Sequence, residues 1–233
     1  MSWTLNQSQT GGAGSVTSLQ VTLPGAVTAG DLIVVLISMY GTTTTSTVGD
    51  NINSGTHNAL ANEYGVNESA IIFGYIAAAG GTAGNFKVTW SNGSTTTWMA
   101  MVVLDLSFTG TGAADGSASM GSASSSNPHS AAITPSGTDF CVNTVCFGAA
   151  STNTIGSGWT LGGSIAYASG GQMGLFWQYA LNQTASITPS STCTSQEWEC
   201  AAFQWVGTGV TSAYSQQPYL VFPSMYFPSM IEE

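Results

Sequence analysis

Charged, helix-forming stretches are almost absent from this chain, which rules out most ways of building a soluble protein from amphipathic helices. Val, Ile, Thr and aromatic residues are frequent instead, and the interruptions between them are rich in Gly, Ser, Asn and Thr. An all-β chain is expected. Ser18 to Leu23 alternates, placing Leu19, Val21 and Leu23 on one face of a strand, and Pro24-Gly25 then turns. Asp31 to Tyr40 is apolar without alternation, as a central strand covered on both faces would be. Ala70 to Ala77 and Asn85 to Trp90 read as strands separated by the turn-forming Gly80 to Gly84. Trp98 to Phe108 closes the set, with Trp98, Ala100, Val102, Leu104 and Leu106 on one face.

The charge balance removes whole classes of function. Lys87 is the single base against 11 acids in 233 residues, there is no arginine, and the net charge is −10. Such a chain repels a phosphate backbone, so no nucleic-acid partner is expected. Phosphate-binding loops, arginine clamps and polybasic membrane attachment lack their residues as well. Apolar runs such as Leu32 to Ile37 are too short to span a bilayer as a helix, which takes about 20 residues, so no membrane partner is expected. The first residues have neither a basic nor an apolar signal region, which suggests a protein that stays in the cell where it is made or has lost a leader. Cys141, Cys146, Cys193 and Cys200 form no close Cys-x-x-Cys pair, so no metal or other cofactor is expected. They are either free buried thiols or disulfide partners, and Cys193 with Cys200 would close a hairpin.

The strand order returns. Asp31-Leu32-Ile33-Val34 is echoed by Asp139-Phe140-Cys141-Val142, Phe73 to Ala77 by Phe176 to Ala180, Val88-Thr89 by Ile187-Thr188, and Trp98-Met99-Ala100 by Trp198-Glu199-Cys200. Both sets end in Thr-Gly, at Thr109-Gly110 and Thr208-Gly209. We read an internal duplication: a first β-sandwich half over residues 1–110, a Gly/Ser/Ala-rich flexible connection over 111–127, and a second half over 128–210. Each half alone would leave sheet edges and apolar faces uncovered, which favours one intimate unit.

Few residues could carry chemistry. His57 lies in the polar loop Asn51 to Asn62 and His129 follows Asn127-Pro128, neither in a nucleophile or metal motif. Glu197 and Glu199 would share one strand face, as a catalytic carboxylate pair must, but neighbours on one strand are expected to face solvent. Asp50 to Gly55 offers oxygens for calcium, yet its spacing fails the EF-hand pattern and reads as an Asx-rich turn. Seven tryptophans invite a glycan-stacking reading, although Trp98 and Trp198, at equivalent points of the two copies, are more simply core anchors. The sequons at Asn6, Asn67, Asn92 and Asn182 matter only in a secretory pathway.

The last segment, residues 211–233, differs from everything before it. Tyr214, Tyr219, Leu220, Val221, Phe222, Met225, Tyr226, Phe227, Met230 and Ile231 follow one another closely, and Pro218, Pro223 and Pro228 prevent a continuous helix. Phe-Pro-Ser-Met occurs at Phe222 and again at Phe227. The segment reads as an extended apolar arm whose partner-binding side chains are Tyr214, Tyr219, Leu220, Phe222, Met225, Tyr226, Phe227, Met230 and Ile231. The alternatives are an edge segment packed on its own sandwich and an expression-derived tail.

The run Leu23-Pro24-Gly25-Ala26-Val27-Thr28-Ala29-Gly30-Asp31-Leu32, the later Gly156-Ser157-Gly158-Trp159-Thr160 and the Thr-Gly strand ends resemble the Gly/Thr-rich, jelly-roll-like β-sandwich modules of bacteriophage virion proteins and some bacterial surface proteins. The resemblance spans roughly residues 15–210 and implies no catalytic residue. What it implies is an all-β, jelly-roll-like antiparallel sandwich, and a non-enzymatic role in capsid decoration or as a fibre or tail accessory. Such a protein would be assembled into a virion in the host cytoplasm and would pair with other virion proteins or with copies of itself as a homo-oligomer. The alternative is an extracellular or cell-surface adhesive module that binds a glycan.

Overall fold

The computed structural model describes residues 2–40, 46–65, 68–149, 152–166 and 174–208. The C-terminal arm and the nine partner-binding residues assigned to it therefore lie outside the described residues. Strands β1 (Trp3–Thr22), β2 (Leu32–Tyr40), β3 (Thr47–Asp50), β4 (Ala61–Tyr64), β5 (Glu68–Ile76) and β6 (Lys87–Phe108) form one antiparallel sheet in the order β1-β6-β2-β5-β4, with β3 also on β6. The second half supplies β7 (Thr111–Ser125), β8 (Thr138–Phe147), β9 (Thr154–Ile155), β10 (Thr160–Ala166), β11 (Gly174–Gln183), β12 (Ser191–Thr192) and β13 (Gln196–Thr208). Its sheet runs β10-β11-β8-β13-β7, and β9 pairs with β12 apart from it. No helix occurs among the described residues.

The two sheets stack face to face, and their strand orders are the same. Replacing β1, β6, β2, β5 and β4 by β7, β13, β8, β11 and β10 converts one order into the other. In the stack β4 lies over β7, β2 over β8 and β1 over β11, a reciprocal overlap that brings the first strand of each half towards the later strands of the other. Leu32, Val34 and Leu36 of β2 and Val102 and Leu104 of β6 meet Phe140 and Val142 of β8, Trp177 of β11 and Phe203 and Trp205 of β13 in the shared layer. Trp3 locks this layer. Its ring lies 4.6 Å from Phe108 and 6.2 Å from Phe140, its Nε1–H donates to Thr138 O at 3.0 Å, and its backbone N–H donates to Asn182 Oδ1 at 2.6 Å.

Apolar runs without alternation now have a cause. The odd-numbered face of β2, with Ile33, Val35, Ile37 and Met39, packs away from the second sheet into another core with Phe73, Phe86, Trp90 and Val103. The first sheet wraps around that core because β1 and β6 bend. Residues 88–91 of β6 lie between β1 and β3, whereas 98–106 lie between β1 and β2. The bend coincides with the register shift between Val16 and Ser18 and with the positive φ of Ser15 (54°). Inside the curl a methyl group on Gly11 would lie 2.7 Å from Val21 Cγ2, so the two arms of β1 approach this closely only over a glycine. The second sheet also buries its outer face, under Ile133, Trp159 and Ile187 and, separately, around Phe147, Phe176 and Trp198.

Three expectations are corrected. Residues 111–125 are not a flexible connection but the 15-residue edge strand β7, paired with β13 from Thr111–Thr208 to Gln196–Ser125. Their small side chains leave room for large neighbours. A methyl group on Gly112 would lie 3.1 Å from Trp3 and 3.3 Å from Trp205, and one on Gly116 would lie 3.2 Å from the Gln204 amide. Asn85 to Trp90 and Trp98 to Phe108 are not separate strands either, since β6 runs 22 residues through the bend. Trp98 and Trp198 lie on opposite faces, the half-buried Trp98 packed against the shared layer and the buried Trp198 beside Phe147 and Cys200 on the outer face of its sheet.

Candidate acidic site

Most of the candidate residues turn out to hold the fold together. Asp50 Oδ1 accepts the backbone N–H groups of Ile52 (2.8 Å) and Asn53 (2.6 Å), the Asx turn expected of that loop. His57 stacks on Tyr75 with centroids 4.1 Å apart and rings 2° from parallel. Burial lowers its pKa, while the Asp50 charge pulls the other way. His129 holds Nδ1 2.8 Å from Asn127 O and packs against Trp198. Cys141, Cys146, Cys193 and Cys200 are all free thiols, three of them buried.

Glu197 and Glu199 require a correction. They do not face solvent: Glu199 is 3% exposed and Glu197 is half-buried. The two-residue period of the strands explains where they point. On the shared layer β13 presents Phe203 and Ala201, and the same face continues to Glu199 and Glu197. Opposite, β5 presents Ile72 and Ala70, and its face continues to Glu68, also 3% exposed. The apolar layer therefore ends in three carboxyl groups that converge from two sheets. One oxygen from each of Glu68, Glu197 and Glu199 lies within 4.8 Å of the other two. Among the described residues no other such group of three acid, histidine or cysteine side chains occurs.

Glycines surround the cluster. A methyl group on Gly65 or Gly121 would overlap the Glu199 carboxylate, and one on Gly148 would lie 2.7 Å from Glu68 Oε1. Glu68 Oε2 and Glu199 Oε2 are buried with no hydrogen-bond donor. Burial, followed by contact with Glu197 and the charge of Glu199, pushes Glu68 up to about 8. Burial, followed by the charges of Glu63 and Glu197, pushes Glu199 up to about 7. Lys87, the only Lys or Arg side chain, is at the start of β6, opposite Thr22.

Two further acid pairs lie at the starts of β2 and β8. Asp105, fully buried, is pushed up to about 6 by burial, against the hydrogen bond from Gln7 and with the Asp31 charge adding to the rise. Asp139, also fully buried, is pushed up to about 7 by burial and by contact with Asp115. Asp115 is held below the ordinary range: burial opposes this, but the backbone N–H and hydroxyl of Ser136 and the Gln204 amide all donate to it.

Sequence reasoning passed over Glu68, Asp105, Asp115 and Asp139. The signal was present for Glu68 and Asp105, each at a two-residue step from an apolar position within a strand that has no alternation. No protein-family model, curated protein or solved structure matches the chain.

Proposed function

We propose that the chain is a non-enzymatic structural protein of a virion, a capsid-decorating protein or a fibre or tail accessory, whose C-terminal segment engages other virion proteins or copies of itself. The observation that carries this reading is how the apolar side chains are spent. Trp3, Trp90, Trp159, Trp177, Trp198 and Trp205 are buried and Trp98 is half-buried, so no tryptophan is exposed for a partner. The exposed large hydrophobic residues among those described are Ile76, Met120, Ile155 and Leu161, on four different strands. The chain's concentrated supply of apolar binding groups is therefore the sequence from Tyr214 to Ile231, with its prolines set against a helix. A proline-punctuated apolar segment that docks in extended form would gain most by adding to a sheet edge, which supplies hydrogen bonds while alternate side chains fill pockets. The glycan-binding alternative needs exposed aromatic platforms and finds none among the tryptophans.

Sedimentation velocity of the full chain beside a chain ending at Ala213 tests the proposal. The full chain should self-associate or co-sediment with its particle, whereas the shortened chain should remain monomeric with the same far-UV circular dichroism. A shortened chain that assembles with undiminished affinity, or that fails to fold, overturns the arm as the binding element.

A further inference from the structure

We propose that Glu68, Glu197 and Glu199 form a calcium site that ties the two sheets together. Three observations converge on it, and none depends on the virion reading. First, the ligands come from both layers: Glu68 opens β5 of the first sheet and Glu197 and Glu199 open β13 of the second, so one ion would cross-link the halves at the open end of their shared core. Second, Glu68 and Glu199 are each 3% exposed, aim into the cluster, and keep one oxygen apiece, Glu68 Oε2 and Glu199 Oε2, without a donor. Buried carboxylate oxygens normally take hydrogen bonds, and leaving them bare is costly. Third, Gly65, Gly121 and Gly148 leave the room that the Glu199 and Glu68 carboxylates themselves occupy, so the backbone is fitted to these acids and would clash with them if it carried side chains.

Nothing in the chain supplies the missing positive charge. There is no arginine, and Lys87 is at the start of β6, opposite Thr22. Positive charge reaches the cluster either as protons held on the carboxyls or as a cation taken from solution, and the cation would displace those protons. The donor set contains only carboxylate oxygens, which selects a hard cation over zinc or copper. Calcium takes oxygen ligands at about 2.3–2.6 Å, so two oxygens on opposite sides of it lie up to about 5 Å apart, and it tolerates irregular geometry. Magnesium demands a tighter octahedron at about 2.0–2.1 Å and keeps much of its water. Three carboxylates with one oxygen each within 4.8 Å of the others suit the larger ion, with Glu63 adding negative charge nearby. Water and the remaining carboxylate oxygens would complete the shell.

Thermal unfolding and calorimetric titration of the full chain with calcium chloride alone test the site. Against a buffer containing EGTA, 5 mM calcium should raise the Tm by about 5 °C or more, as expected for a Kd near 10⁻⁴ M in a chain of this size. Titration should give one ion per chain, and magnesium at equal concentration should give less than half the shift. Glu68→Gln and Glu199→Gln should be at least as stable as the parent in EGTA, because each removes an acid whose ionisation is disfavoured by burial and by its neighbouring carboxyls, yet should weaken calcium binding tenfold or more. That opposite response separates a ligand from a merely structural acid. Glu197→Gln applies the same test at the half-buried position, where folding is least at risk. No calcium-dependent shift in the parent chain, an equal response to magnesium, or undiminished calcium binding in the glutamine variants overturns the assignment.

Discussion

Asp139→Asn should make the protein more stable at alkaline pH and leave it almost unchanged at acid pH. Asp139 is fully buried beside Asp115, and burial together with that contact pushes it up to about 7 from the ordinary 3.8 of an aspartate. The folded chain therefore holds a proton that the unfolded chain has released by about pH 5. The stabilisation this provides is complete below about pH 3.8 and is lost as the pH rises towards 7. The shift spans about 3 units, each worth about 1.4 kcal/mol, so ionising Asp139 in place removes about 4 kcal/mol between pH 4 and pH 8. Asparagine cannot ionise, and its Nδ2 can donate to the Asp115 carboxylate as the protonated acid does. Urea denaturation followed by tryptophan fluorescence, repeated at intervals from pH 4 to pH 8, should show the two curves together at pH 4. By pH 8 the variant should be ahead by about 3–4 kcal/mol. Parallel stability curves, with a gap that changes by less than about 1 kcal/mol over this range, would refute the reasoning and mean that Asp139 is ionised throughout.

Trp3→Ala should cost about 3–5 kcal/mol in the same urea assay, since it empties the wedge between Phe108 and Phe140 and frees Thr138 O, and a loss under about 1 kcal/mol would show that β1 is not locked to the second half. Gln178→Leu should cost about 1–3 kcal/mol for each buried group it strands, because the amide donates to Asn143 Oδ1 and Ser190 O and accepts from Gly156 N–H; an unchanged midpoint would place water there instead. Burial pushes Cys141, Cys146 and Cys200 up to about 12, so Ellman's reagent should label only the half-buried Cys193 quickly in the native state and all four thiols after unfolding, with Cys193→Ser abolishing the native reaction.

The all-β class was legible because the pattern that signals it is local: alternation at Leu19, Val21 and Leu23, and its absence from Leu32 to Met39, where two cores flank β2. The duplication was legible in part. Asp31 and Asp139 do occupy matching strand starts, but Val88 and Ile187 do not match, since Val88 is inside β6 whereas Ile187 bridges Ile133 as Gly81 bridges Val27. Strand β7 was hidden because Gly, Ala and Ser carry no strand pattern of their own; what makes them a strand is β13, whose Trp205, Gln204 and Glu199 need a neighbour without side chains. The acidic cluster was hidden for a different reason. Glu197 and Glu199 predict a common face, but only the stacking of two sheets decides that the face turns inward and meets Glu68, a partner more than 120 residues away in sequence.

A deeper correspondence between the halves escapes residue-by-residue comparison altogether. At the start of β2 stands Asp31, and beside it Gln7 of β1 faces Asp105 of β6, with the amide donating to Asp105 Oδ2 at 2.8 Å and to Ala26 O at 3.2 Å. At the start of β8 stands Asp139, and beside it Asp115, at the bulge of β7, receives the Gln204 amide of β13 at 2.9 Å, while that amide also donates to Thr134 O at 2.8 Å. The acid and the amide have exchanged strands. The contacts are of the same kind, because in each half one carboxyl contacts the strand-start aspartate and one amide joins that pair to the loop leading into β2 or β8, although the acid pushed up is the amide's acceptor Asp105 in the first half and the strand-start Asp139 in the second. In each pair burial and the neighbouring carboxyl push one acid up, Asp105 to about 6 and Asp139 to about 7, which lessens the charge that a buried site in a chain almost without bases must hold. The requirement thus falls on the set of three groups rather than on any one position, and either arrangement of Asp and Gln satisfies it. Selection for that set would leave the two halves alike in topology and hydrogen bonding while their sequences drift apart.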